Sequence, residues 1–185
     1  MSSGDKKSTA VIGFFTVINH ETHGLFGGLL LLDRNGRPRE FHCTAPVKAN
    51  RAQEILYGST LDSYLYGEAI GQSLLAKAST APEWICVENA SALAIREFSD
   101  MPVALIVPPN EPGASSEPLF RVDAAHSSTL RMFAGGRHRL AVARRFAEDE
   151  AKLTAGVAEL PEHFDLIEPF ARIRGAIEEA QRGGR

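Results

Sequence analysis

The sequence lacks the short motifs that mark several common chemistries. It contains no Gly-Lys-Ser or Gly-Lys-Thr tripeptide, and Gly24, Gly27 and Gly28 do not have the Gly-x-Gly-x-x-Gly spacing. We therefore expect no phosphate-binding loop and no nucleotide cofactor. There is also no Gly-x-Ser-x-Gly elbow, no Cys-x-x-Cys pair and no His-Glu-x-x-His helix, which argues against a serine hydrolase, a zinc finger and a zinc protease.

Cysteine and long apolar runs are scarce as well. The two cysteines, Cys43 and Cys86, fall in segments that read as strands, and the N-terminus has no apolar stretch of the secretory type. The longest strongly apolar run, Leu29 to Leu32, is far below the roughly 20 residues that span a bilayer. These features predict a soluble, cytoplasmic protein with free thiols and no membrane partner.

The bulk composition is that of a globular domain. The chain has 185 residues, of which 44% are hydrophobic and 23% are charged, and its net charge of −3 provides no overall field for a polyanion. Residues 1–8 are small, polar and charged and are predicted to be a disordered tail. Residues 9–185 are predicted to form a single α/β domain.

Three strands are predicted at the start of the chain. The segments Ala10–Ile18, Leu25–Leu32 and Arg39–Val47 are apolar or alternate with a period of two, and Asn35-Gly36 favours a tight hairpin turn. Consecutive strands joined by short turns form an antiparallel meander.

Helices and parallel strands are predicted next. Asn50 and Gln53 resemble a capping box that begins a short helix, and a longer helix follows over Thr60–Ala78. Strands Trp84–Val87 and Pro102–Val107 are separated by a helical segment, Ala90–Phe98, which is the pattern of a parallel β-α-β unit.

The remainder of the chain is predicted to be mostly helical after a proline-rich loop. Pro108 to Pro118 is dense in residues that break regular structure and is expected to be an exposed loop. After the loop, the pattern favours an edge strand over Leu119–Val122 and a short helix over Ser127–Phe133. A second helix is predicted over Arg137–Leu153, with Val142, Phe146 and Leu153 on its buried side. Asp165 is predicted to cap a last helix, whose buried stripe is Ile167, Phe170, Ile173 and Ile177.

This element order resembles the ribonuclease H-like fold, in which a three-stranded antiparallel meander precedes alternating helices and parallel strands. The resemblance covers about residues 9 to 108. It implies a cluster of acidic residues at the sheet ends that holds two divalent metals for phosphodiester cleavage, because paired metals stabilise both the attacking and the leaving oxygen.

The acidic residues of this chain depart from that pattern. The first strand of the resembled family carries an Asp, whereas Ala10–Ile18 contains no acid, and Asn19 follows it. Weak catalytic candidates are Glu54 and Glu68 on the helices and Glu88 after the fourth strand. If these carboxylates and Asp100 meet in one cleft, catalysis is supported; if they are scattered, it is not. No bound metal is expected.

Histidine and cysteine offer a second, weaker possibility. His20 and His23 share one loop, and His42 and Cys43 are adjacent on a predicted strand, so a zinc site is conceivable. Side chains of neighbouring strand residues point to opposite faces, so His42 is not placed to activate the Cys43 thiol. Solvated turn histidines and a buried structural cysteine are the simpler interpretation.

The most concentrated charge feature is a group of arginines without an acid until Glu148. Its members are candidate nucleic-acid contacts if they project from one end of a helix, and the alternative is ion pairing with the acids that follow. The candidates are Arg137, Arg139, Arg144 and Arg145.

Two hypotheses for the function follow. The first is a non-enzymatic interaction or adaptor subunit of a larger intracellular assembly, with a protein partner or a second copy bound through the Gly67/Gly71 helix, the proline-rich loop or the C-terminal helix. The alternative is a metal-dependent nucleic-acid hydrolase, or a catalytically silent nucleic-acid-binding protein, with a ribonuclease H-like core. The missing acid in the first strand favours the first hypothesis.

Overall fold

A seven-stranded sheet forms the centre of the molecule. A computed structural model describes residues 10–108 and 130–183, and its strands lie in the order β3-β2-β1-β4-β5-β7-β6. The strands are β1 (Val11–His20), β2 (Gly24–Asp33), β3 (Pro38–Cys43), β4 (Ile85–Val87), β5 (Val103–Val107), β6 (Leu130–Gly135) and β7 (His138–Ala143).

The pairing confirms the predicted mixed α/β fold with ribonuclease H-like element order. Strands β1, β2 and β3 form an antiparallel meander, and β1, β4 and β5 are parallel to one another. Strand β7 returns antiparallel to β5. We call the end of the sheet where β1, β4 and β5 finish the carboxyl edge, and the opposite end the amino edge.

Helices cover both faces of the sheet. We label Arg51–Tyr57 α1 and residues 61–77 α2; a 3₁₀ helix spans Ala90–Phe98. Helices α3 (Asp149–Ala158) and α4 (Glu168–Gly183) follow. Helix α2 and the 3₁₀ helix pack on one face, and α3 and α4 pack on the other. No helix within the described ranges has the length and apolar character needed to cross a membrane.

Local signals in the first half predicted the elements well. Asn50 and Gln53 form the expected reciprocal capping box at the start of α1. Helix α2 is less regular than predicted, because Tyr64–Gln72 is a π-helix between short α-helical ends. Strand β3 ends at Cys43, and only an isolated bridge to Leu25 continues the pairing at Val47.

The prediction was wrong for two helices in the second half. Helices were expected over Ser127–Phe133 and Arg137–Leu153, but within the described residues Leu130–Gly135 and His138–Ala143 are the strands of a hairpin, closed by Gly136 with φ +57°. The apolar run at Leu140 is short and buried on both sheet faces, and such a run is equally compatible with a helix or a central strand. A short 3₁₀ helix spans Arg144–Phe146, and the α-helix begins only at Asp149.

The last helix also begins later than predicted. Its first residue is Glu168, and the Asp165 carboxylate accepts a hydrogen bond from the backbone N–H of Ile167 in the turn before it. Ile167 is 41% exposed and is not part of the buried stripe, unlike Phe170 and the isoleucines beyond it. The predicted tail 1–8, nearly all of the proline-rich loop 108–118 and the predicted strand Leu119–Val122 lie outside the described residues.

Two adjacent glycines in β2 set how closely the helices approach the sheet. Gly27 faces α2, and a Cβ atom there would overlap Ile70. Gly28 faces α4, and a Cβ atom there would overlap Ile173. Both isoleucines are fully buried. The absence of side chains at two consecutive positions therefore allows both helical layers to contact the β2 backbone.

The glycines of α2 serve the same purpose between helices. A Cβ atom at Gly67 would lie 2.8 Å from Ala94 Cβ, and one at Gly71 would lie 2.8 Å from Ile95 Cγ1. Both contacts are with the 3₁₀ helix. The close approach that these two glycines allow is therefore internal to the fold.

Replacement of Gly28 by alanine is expected to lower the free energy of unfolding by about 1–3 kcal/mol, since the new methyl group must displace Ile173 and α4. Gly175 on α4 is the matched control, because a Cβ atom there meets nothing within 4 Å. Gly175→Ala is expected to raise the free energy of unfolding by about 0.5–1 kcal/mol, because alanine favours a helix more than glycine does. Urea unfolding of both variants measures the difference, and equal effects would contradict the proposed contact.

Candidate functional site

Glu88 lies between two partners at the carboxyl edge. It follows β4 directly, and its Oε1 accepts a hydrogen bond from the Thr16 hydroxyl of β1. Its Oε2 forms an ion pair with the guanidinium of Arg174 on α4. Both carboxylate oxygens are therefore engaged, one by a neutral donor and one by a cation.

The backbone explains this meeting. Phe15 pairs with Val87 across the parallel strands, so the next residues, Thr16 and Glu88, are neighbours on the same sheet face. Helix α4 crosses that face with Ile173 buried, and the adjacent Arg174 reaches the carboxylate. Thr16 is only 2% exposed, which makes its hydroxyl a rigid donor.

Sequence reasoning missed both partners of Glu88. The search for an acid in the first strand passed over Thr16, although it is the polar residue inside an otherwise apolar run. Arg174 is one of several arginines in the last helix, and nothing in its local pattern distinguishes it. A buried polar position in a central strand was the available signal for Thr16.

The other candidate carboxylates do not join Glu88. Glu54 is exposed on α1 and pairs with Arg51 at 3.0 Å. Glu68 is exposed on the π-helix segment, and Asp100 is exposed in the connection before β5. Among residues 10–108 and 130–183, no group of three or more histidine, cysteine, aspartate or glutamate side chains is arranged to hold a metal ion.

The donors at Glu88 do not suit the divalent metals that the resemblance implies. Mg²⁺ requires near-octahedral oxygen ligands and Ca²⁺ requires six to eight oxygens, of which carboxylates supply the charge. Here Thr16 supplies a hydroxyl in place of a second carboxylate, and the positive charge of Arg174 already faces the site.

The three histidines considered for a zinc site lie in two separate places. The rings of His20 and His23 are 4.7 Å apart in the turn after β1, and His20 Nδ1 accepts hydrogen bonds from the backbone N–H groups of Thr22 and His23. His42 instead contacts Glu40 on β3. Cys43 is a free thiol packed against the core on the other sheet face.

Glu40 connects the outer strand β3 to the segment that follows α2. Its carboxylate contacts His42 Nε2 at 2.9 Å and accepts hydrogen bonds from the backbone N–H groups of Ser79 and Thr80 at 2.8 and 2.9 Å. The bond to His42, followed by those to Ser79 and Thr80, lowers the pKa of Glu40 from 4.5 to about 2.

The arginine cluster is divided between the two edges of the sheet. Arg139 pairs with Val107 at the last residue of β5, which places Arg137 and Arg139 at the carboxyl edge. Arg144 and Arg145 follow the other end of β7, about 20 Å away for a six-residue strand. The expected projection of these side chains from one end of a helix is therefore wrong.

At the amino edge, arginines take part in structural ion pairs. Arg145 pairs with Glu97, and Arg96 makes a two-point contact with the buried Asp149, with Nε at 2.7 Å from Oδ2. The Arg96 guanidinium also lies 4.4 Å from the centre of the Phe146 ring. These contacts join the 3₁₀ helix to the start of α3. Arg144 is exposed.

At the carboxyl edge, two arginines contribute to the lining of an open cavity of about 330 Å³. Arg137 donates a hydrogen bond from Nη2 to the backbone oxygen of Phe164 at 3.2 Å, and Arg139 is exposed. The residues that line the cavity combine two arginines, a histidine, an aspartate and two aliphatic side chains: Val107, Arg137, His138, Arg139, Asp165 and Ile167.

No protein-family model matches the sequence, and no curated protein matches it. Among solved structures, the chain is similar to endonuclease V of Ciona intestinalis, crystallised with a 23-mer DNA that contains an inosine followed by a ribo-adenosine. The alignment covers 96% of this chain and 88% of that chain, with 11% identity and a TM-score of 0.48. At these values the likeness concerns the course of the chain and not its chemistry.

The hypothesis of a non-enzymatic adaptor subunit is wrong. The solved structure found by comparison is an endonuclease crystallised with DNA and not an adaptor protein. Two of the three surfaces assigned to a protein partner are also used internally: Gly67 and Gly71 contact the 3₁₀ helix, and the apolar stripe of α4 faces the sheet. The expectation of a homo-oligomer stays a prediction.

Replacement of Glu40 by glutamine is expected to lower the melting temperature at pH 7, because one amide oxygen cannot replace the carboxylate that binds two N–H groups and His42. The folded-state pKa is depressed, so the stabilisation is present above pH 4.5 and is lost as the pH falls through about 2. The difference in melting temperature between wild type and variant is therefore expected to narrow as the pH falls from 4.5 to about 2. Thermal unfolding at a series of pH values measures it.

Glu54→Gln is the control for this experiment, because Glu54 is exposed and paired only with Arg51 on its own helix. Its melting temperature is expected to differ little from that of the wild type at any pH. A gap for Glu40→Gln that stays constant down to pH 2 would show that the ionised carboxylate is not the stabilising form.

Proposed function

We propose that this protein is a catalytically silent nucleic-acid-binding protein with a ribonuclease H-like core, and that it binds at the carboxyl edge of its sheet. The observation that supports binding is the cavity between Arg137 and Arg139. Guanidinium groups donate paired hydrogen bonds to phosphate oxygens, and arginine retains its charge at every physiological pH.

The charges around the cavity favour an anion. Asp165 is the acid among its described lining residues, and one of its oxygens already accepts the N–H of Ile167. Arg137 keeps further N–H donors after its bonds to the Phe164 backbone oxygen and to His138 Nε2. Val107 and Ile167 add apolar surface against which a sugar or a base can pack.

The proposal of a silent site depends on Glu88. Hydrolysis with two metals requires carboxylates that converge, whereas Glu88 meets a hydroxyl and a guanidinium. The remaining candidates, Glu54 and Glu68, lie on helices away from it. We also propose a cytoplasmic setting, because Cys43 and Cys86 are both free thiols.

The double change Arg137→Ala and Arg139→Ala is expected to weaken binding of a short labelled single-stranded oligonucleotide. Each phosphate contact contributes about −0.7 to the slope of log K against log salt for a single strand, so loss of two contacts makes the slope shallower by about 1.4. Fluorescence anisotropy at several salt concentrations measures both the affinity and the slope.

Arg144→Ala with Arg145→Ala is the matched control, since it removes the same charge at the amino edge. It is expected to leave the binding of a short oligonucleotide nearly unchanged. If this control loses as much affinity as the first variant, the carboxyl edge is not the binding surface. Binding by the wild type that is absent or insensitive to salt overturns the proposed function itself.

A further inference from the structure

The side chains at Glu88 satisfy its charge from within the protein. Arg174 supplies one positive charge at Oε2, and Thr16 supplies a hydrogen-bond donor at Oε1. The Glu88 side chain is 24% exposed and that of Arg174 is 46% exposed, so the pair lies at the surface end of the buried Thr16. The group is neutral overall.

The position of Arg174 is fixed by packing on both sides of it. The preceding residue, Ile173, is fully buried over Gly28, and Ile177 is buried one turn later. Helix α4 therefore cannot rotate away from the sheet without exposing this stripe. The guanidinium is held next to Glu88 by the core and not only by the attraction between two charges.

A divalent cation at Glu88 would compete with this arrangement. It would have to displace the guanidinium, and the displaced positive charge would remain nearby because the helix is anchored. It would then find a single carboxylate and a hydroxyl, where hard cations favour several charged or carbonyl oxygens.

We propose that the Arg174 guanidinium occupies the position of a cation at the Glu88 carboxylate and closes this site to divalent metals. The candidate metal ligand Glu88 is thus part of an internal ion pair that attaches α4 to the end of β4. This inference does not depend on nucleic-acid binding, which is proposed for the cavity at Arg137 and Arg139.

The direct test is Arg174→Glu, which replaces the internal cation by a second carboxylate on an exposed position of the helix. Thermal unfolding is followed with and without Mn²⁺, with EDTA to reverse any effect. The wild type is expected to show no Mn²⁺-dependent rise. The variant is expected to melt about 3–6 °C higher when Mn²⁺ is at about ten times its dissociation constant.

Three further variants identify the site. Arg172→Gln removes a cation two residues earlier, where the arginine pairs with Glu168, and is the control for Arg174→Gln; it is expected to show no rise. Arg174→Glu combined with Glu88→Gln is expected to lose the rise. Arg174→Gln removes the cation without adding a repulsive charge. Its affinity for Mn²⁺ is expected to lie between those of the wild type and Arg174→Glu. This variant also serves if Arg174→Glu does not fold.

Several results overturn the proposal. A rise in the wild type that Glu88→Gln abolishes would show that Arg174 does not close the site. A folded Arg174→Glu variant without a rise, or an equal rise for Arg172→Gln and Arg174→Gln, would show that the guanidinium does not mark a cation position. A wild type that binds Mn²⁺ at Glu88 would also remove the support for a silent site. The titration uses no nucleic acid, so nucleic-acid binding is judged by its own experiment.

Discussion

The close approach of helices to both faces of β2 is the constraint on which the rest of the structure depends. Side chains alternate between faces along a strand, so two consecutive glycines remove the obstacle once on each side. Gly27 admits Ile70 and Gly28 admits Ile173. Each contact excludes water from a large aliphatic side chain, and burial of such a side chain contributes about 1.5–3 kcal/mol. These two contacts therefore fix the distance between β2 and the helix on each face of the sheet.

The arrangement at Glu88 follows from that spacing. Because Ile173 is seated over Gly28, the next residue of the helix, Arg174, lies over the end of β4. On the strand side, the parallel register brings Thr16 beside Glu88. A carboxylate left alone at this partly buried position would carry a desolvation cost, and the hydroxyl and the guanidinium offset it. The ion pair is a consequence of packing, which is why neither partner has a distinctive sequence neighbourhood.

The first half of the fold was predictable because its signals are local. A capping box, a hairpin turn and β-branched or alternating strands each act over a few residues, and the parallel β-α-β pattern needs only their order. The second half required information that is not local. The segment around Leu140 becomes a strand because β5 offers a free edge for pairing, and propensity alone does not distinguish this from a helix. The irregular course of α2 likewise depends on the 3₁₀ helix against which Gly67 and Gly71 pack.

The candidate site was predictable only in part, for the same reason. Glu88 could be placed at the end of a strand from its neighbours, but its partners lie 72 and 86 residues away in the chain. The arginine cluster was predicted on a helix, which would have kept these side chains close together. On and around strand β7 they are instead divided between the two edges of the sheet. Arg145 joins the ion pairs of the amino edge, while Arg137 and Arg139 stand beside the cavity at the carboxyl edge. The proposed binding of a phosphate backbone without cleavage rests on two features, the cations at that edge and the Glu88 carboxylate that Arg174 neutralises.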